Sequence, residues 1–242
     1  MTGGAVPPEP QLPGQLEAVL FDAGGVLIDL DYAYLRRLVE SRHGPVEESE
    51  LGRAEALARR EINDTVRRGG RVGDAWRDYF HVILGHVGVP VELQVALIDS
   101  LWEAHLRVGL WTVAAAGARE AVEELRRRGL RIGVVSNAEG TVARNLDDAG
   151  FAGAFETVVD SHLVGVEKPD PAIFGIALER MSLRADRAVF VGDLPEVDVN
   201  GARAAGIAPI LLDRHDLYPD ARSHRIRSLC ELPDLLGSRG RP

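Results

Sequence analysis

Apolar residues along this chain follow two different rhythms, and the change between them divides the sequence. Leu16 to Asp22 (LEAVLFD) is a short, nearly continuous apolar run that stops at an acid and two glycines, which predicts a buried strand. From about Asp31 to Arg107 the spacing becomes helical. In GDAWRDYFHVILGHVG, Trp76, Phe80, Ile83, Leu84 and Val87 recur on one helical face, with Asp74 as the N-cap. Leu97, Ile98 and Leu101 continue the pattern in a following helix.

Beyond Trp111 the two rhythms alternate. A helix from Ala118 ends at Gly129, followed by strand RIGVVS, a helix from Thr141, a strand around Thr157 to Val159 and a helix from Pro171. Strand AVFVG, a helix from Val197 and strand APILL complete the series. Such alternation predicts right-handed crossovers and an α/β fold, a Rossmann-like parallel sheet with helices on both faces. The first strand belongs to that sheet although it lies far from the others in sequence. Residues 16–30 and 112–237 therefore form the expected core domain, residues 31–111 an inserted all-helical cap, and residues 1–15 a loose leader.

Composition narrows the function. The chain has 242 residues, enough for one large core plus an insertion. Its formal net charge of −9 disfavours nucleic acid as a partner. A single cysteine, Cys230, excludes an intramolecular disulfide and any cysteine-based zinc cluster. No apolar run approaches the roughly 20 residues of a membrane span, and the leader lacks the pattern of a secretion signal. A cytoplasmic protein is expected, as a monomer or a homodimer.

In an open parallel sheet, ligands bind beyond the carboxyl ends of the strands. Asp22, Gly24 and Gly25 follow the first strand, Ser136 and Asn137 close the RIGVV strand, and Asp193 follows AVFVG with Asp198 five residues later. Lys168 lies between these segments. Several carboxylates and one ammonium at a single rim repel one another unless a cation and an anionic ligand complete the balance. Oxygen-only ligands of this kind suit Mg²⁺ with a substrate phosphate. Lys168 is the only lysine in the chain, every other basic side chain being arginine, so a compact ammonium at that place points to a geometric need.

These segments carry a resemblance. FDAGGVL, VVSN, the lysine of VEKPDPAIF, and VGDLPEVD resemble, in order, motifs I to IV of the haloacid dehalogenase (HAD) superfamily with an α-helical C1-type cap. FDAGGVLIDLD is similar to the FDxGxV subgroup, which contains sugar-1-phosphate phosphatases and relatives of the epoxide hydrolase N-terminal domain. The resemblance implies that Asp22 is the nucleophile and that Ser136, Asn137 and Lys168 hold the phosphoryl group. It implies further that Asp22, the Gly24 carbonyl, Asp193 and Asp198 hold Mg²⁺, Asp198 directly or through water. The implied reaction is hydrolysis of a small phosphorylated metabolite through an aspartyl-phosphate.

Gly24 departs from the pattern, because phosphatases of the family carry there an aspartate that protonates the leaving oxygen. Three consequences are open: a substrate whose leaving group needs little help, another acid such as Asp29 or Asp31, or a weakly active or non-catalytic phosphometabolite-binding protein. A 2-haloacid dehalogenase is a further alternative, although that branch carries an aromatic residue at the position of Gly24. Arg67, Arg68 and Arg71 read as a solvated face, Arg126, Arg127 and Arg128 as a helix terminus, and His81, His86 and His105 as packing or surface residues. Trp76, Tyr79, Trp102 and Trp111 read as core or cap-to-core packing.

Overall fold

The computed structural model describes residues 11–70 and 76–237. Asp74, expected as an N-cap, and Arg71 lie outside the described residues. Six parallel strands form the main sheet: β1 (Ala18–Phe21), β4 (Arg131–Ser136), β5 (Thr157–Asp160), β6 (Ala188–Gly192), β7 (Ala208–Leu212) and β8 (His224–Ile226). Their order is β5-β4-β1-β6-β7-β8, so β1 lies in the middle and the chain reverses its direction of travel across the sheet beside it. The crevice beyond the end of β1 is therefore the topological switch point.

Alternation along the strands explains the two buried faces. Val19 and Phe21 of β1, Ile132 and Val134 of β4, and Val189 and Val191 of β6 face one apolar cluster, shared with Ala118, Ala121, Val122 and Leu125 of α5 (Ala118–Arg127). Ala18 and Leu20, Val135, and Ala188 and Phe190 face the other, shared with Ile173, Phe174 and Ala177 of α8 (Pro171–Arg180). Phe174 packs edge-on against Phe190, with ring centroids 4.9 Å apart. Burial on both faces accounts for strands that read as unbroken apolar runs.

Three strands went unread in the sequence, β8 and a short antiparallel ribbon of β2 (Ile28–Leu30) and β3 (Trp111–Ala114). Each is three or four residues long, too short for its periodicity to show. The expected helix at Val197 is a π-type turn, Pro195–Val199, followed by α9 (Asn200–Ala204). Between β2 and β3 lie α1 (Tyr32–Glu40), α2 (Glu48–Arg67), α3 (Trp76–His86) and α4 (Val91–Val108), packed around their own apolar cluster of Leu35, Leu51, Phe80, Ile83, Leu97 and Leu101. This helical block meets the rim of the sheet where α2 lies against the π-turn after β6. Among the described residues, no helix is long and apolar enough to cross a membrane.

Truncating Phe174 to Ala removes a ring from a core position with no exposure and is expected to cost about 3–5 kcal/mol. Leu163→Ala, at a residue 72% exposed, should stay within about 0.5 kcal/mol of the parent. Denaturant titration of both variants checks the contrast.

Candidate active site

The carboxyl ends of β1, β4 and β6 bring Asp22, Ser136 and Asp193 to one cavity, where Lys168 joins them from the loop before α8, with Asp198 buried behind. Asp22 follows β1 directly, and its backbone N–H donates to Val191 of β6 at 2.9 Å. Lys168 is 1% exposed, and its Nζ lies 2.9 Å from Asp22 Oδ1 and 2.8 Å from Asp198 Oδ1. Asp198 is fully buried, and its Oδ2 accepts from the backbone N–H groups of Asp193 (3.0 Å) and Leu194 (2.9 Å). Gly192 makes that placement possible, since a Cβ there would lie 2.3 Å from the Cβ of Asp198.

The acids form a cation-ready cluster. Asp22, Asp193 and Asp198 each offer a carboxylate oxygen, all within 4.8 Å of one another. Burial raises the Asp22 carboxyl above its ordinary value; Lys168 opposes the shift and Asp198 adds to it. Burial likewise pushes Asp193 up to about 7, against the pull of Arg59. Lys168 is raised as well, because Asp198 and Asp22 outweigh the penalty of its burial. Asp193 Oδ1 is buried with no hydrogen-bond partner among the described residues. An orphaned carboxylate oxygen beside two further acids fits a hard divalent cation such as Mg²⁺. Asp198 is already held at both oxygens, which suits contact with the cation through water.

Asn137 gains a positioning task, and two candidate acids fall away. The side chain of Asn137 is spent on the backbone of Lys168: its Nδ2 donates to the carbonyl at 2.9 Å and its Oδ1 accepts from the N–H at 2.7 Å. The side chain therefore positions the lysine, and Asn137 also lines the cavity. Asp29 pairs with Arg214 at 2.8 Å and Asp31 caps α1 by accepting from the Tyr34 N–H at 2.8 Å. Neither lines the cavity, so neither replaces the acid absent at Gly24.

The helical block adds groups that sequence reasoning missed. Arg59 of α2 reaches down to Asp193, 2.5 Å away, and pairs with Glu55 at 2.8 Å. Its guanidinium fills the space a Cβ at Gly25 would need, and the positive φ of Gly25 (+79°) suits the same residue type. Tyr79 donates to Glu55 at 2.5 Å, and Tyr32 donates to the same carboxylate. Burial raises Glu55, but Arg59 and the two phenols more than reverse it, so its carboxyl lies below the usual range. The legible signal was an acid and a base four residues apart on the apolar stripe Leu51, Ala54, Ala58. Arg67 and Arg68, by contrast, are exposed and pair with Asp64 and Glu61. His105, read as packing or surface, is buried in the cavity wall and bonds Glu139 of the loop after β4 at 2.9 Å.

Comparison with known proteins agrees with this geometry. Phosphoserine phosphatase of Thermus thermophilus is 35% identical over 136 residues, 56% of this chain and 53% of that protein. Ribulose-1,5-bisphosphate 5-phosphatase of Halopiger xanaduensis is 32% identical over 154 residues, 59% of this chain and 63% of that protein. These matches thus span between about half and two thirds of the relatives' own length. A phosphatase of Mycobacterium tuberculosis is 28% identical over 228 residues, covering 93% of this chain and 99% of the other. In fold, a magnesium-bound HAD-hydrolase of Bacillus subtilis matches with a TM-score of 0.71 at 21% identity, covering 92% of this chain and 99% of that one. The family model described as haloacid dehalogenase-like hydrolase matches residues 16–206. Most of the chain is thereby accounted for, and the protein belongs to the haloacid dehalogenase-like hydrolase family.

Proposed function

We propose that this hydrolase is a Mg²⁺-dependent phosphatase acting on a small phosphorylated metabolite, with residues 31–111 as the cap that selects it. The observation that carries the reading is the buried ammonium of Lys168 joining Asp22 to Asp198, with Asp193 beside them. An isolated cluster of this kind is costly, whereas a dianionic phosphoryl group with a divalent cation completes its charge balance.

Lys168 and the Ala23 N–H, 2.7 Å away, both hold Asp22 Oδ1, which fixes the carboxylate plane. Oδ2 is left as the attacking atom. It forms a bond to phosphorus as the ester P–O bond breaks, giving an aspartyl-phosphate and the departing alcohol oxygen. Lys168 stabilises the charge gathering on the phosphoryl oxygens, and the Ser136 hydroxyl at the end of β4 donates to one of them. Water then attacks the phosphorus as its bond to the Asp22 oxygen breaks, the protons of the water leave on the released phosphate, and the carboxylate is restored. Mg²⁺, held by Asp22 and Asp193 with Asp198 behind them, would supply electrostatic stabilisation of the same oxygens. Since position 24 has no acid, the departing oxygen takes its proton from water, which favours acyl or aryl phosphates and sugar 1-phosphates over alkyl phosphates.

Asp22→Asn is expected to reduce phosphate release from para-nitrophenyl phosphate to background while leaving the circular dichroism spectrum unchanged. Chelation of Mg²⁺ should do the same reversibly. Metal-independent halide release from a 2-haloacid would instead favour the dehalogenase reading.

Gly24→Asp offers a separate handle. A Cβ there would meet Trp111 at 3.5 Å, an ordinary contact, so the first atom of the new side chain is tolerated. Hydrolysis of an alkyl phosphate such as glycerol phosphate should rise by about 10²-fold or more, with little change for the aryl phosphate. Equal effects on both, read from kcat/KM, would place the deficit elsewhere.

A further inference from the structure

The cavity that opens on Asp22 has a volume of about 550 Å³, far more than a phosphoryl group needs. Its two ends differ in chemistry. Charged groups occupy the end at the sheet rim, whereas α3 contributes Trp76 and Tyr79, α4 Trp102 and His105, and β3 Trp111. These rings form one continuous run. Trp76 lies edge-on to Trp102 with centroids 4.8 Å apart, His105 is 5.9 Å from Trp102 and 5.6 Å from Trp111, and Trp111 is 5.9 Å from Tyr79. Trp76, Trp102 and Trp111 remain partly exposed, and the space they border is this cavity.

We propose, building on the phosphatase reading, that the leaving group of the substrate is aromatic. Its ring packs against Trp76, Trp102 and Trp111, and its phosphate meets Asp22 and Ser136 at the sheet rim of the same cavity. A phenolic leaving oxygen of such a compound also departs without the acid missing at Gly24, so one substrate class answers two separate features of the site.

Non-hydrolysable phosphonates separate recognition from leaving-group chemistry. In the presence of Mg²⁺, calorimetry should show benzylphosphonate binding about tenfold more tightly than cyclohexylmethylphosphonate, a difference narrowed by Trp102→Leu. Equal affinities for the benzyl and cyclohexylmethyl ligands, with phosphate still released from acetyl phosphate, overturn the aromatic assignment alone. No binding of any phosphonate, together with no turnover of acetyl phosphate, overturns the phosphatase reading beneath it.

Discussion

One buried ammonium organises this protein's chemistry. Lys168 sits where water scarcely reaches, with Asp22 on one side, Asp198 on the other and the ring of Phe190 5.3 Å from its Nζ. Stripping water from such a charge costs several kcal/mol, recovered only if its partners are close and well aimed. The surrounding backbone enforces that aim. Asn137 clamps the lysine's own peptide groups, two N–H groups clamp Asp198, and a glycine ends β6 so that the carboxylate can lie against it. The sheet thus acts as a rigid frame, holding loops that would otherwise let like charges drift apart.

What the sequence disclosed follows from the same frame. Strands buried on both faces show as apolar runs, and the polar residues at their carboxyl ends stand out because each run stops abruptly at them. Asp22 and Asp193 were legible for that reason, and Lys168 by its solitary status among the basic residues. Asn137 was legible as a rim residue but not as a clamp on Lys168, since its partner lies 31 positions away and no local pattern records the pairing. Asp29 and Asp31 were plausible acids by proximity in sequence, yet the ribbon turns both away from the cavity, one to Arg214 and one to a helix end.

The helical block was less transparent. Its elements were readable from periodicity, but the side chains it lowers onto the rim were not, because helical spacing does not say which face meets a distant loop. Glu55 and Arg59 are instructive. Their charges interrupt an apolar stripe, a local conflict that makes sense only once Tyr32, Tyr79 and Asp193 surround them. Three links tie block to sheet at separate points: Arg59 to Asp193, Asn63 to the Glu196 N–H, and His105 to Glu139. Each uses a polar or charged group that is otherwise deeply placed, so their joint geometry fixes how the aromatic wall faces the acids.

The ribbon of β2 and β3 has a consequence for how such proteins diversify. Ile28 lies directly opposite Ala114, so the chain leaves the sheet and returns to it at neighbouring points. Everything between those points can be lengthened, shortened or exchanged without moving a strand of the main sheet. On the proposed reading, selection and reaction then occupy separable parts of the chain, one free to vary while the other stays constant.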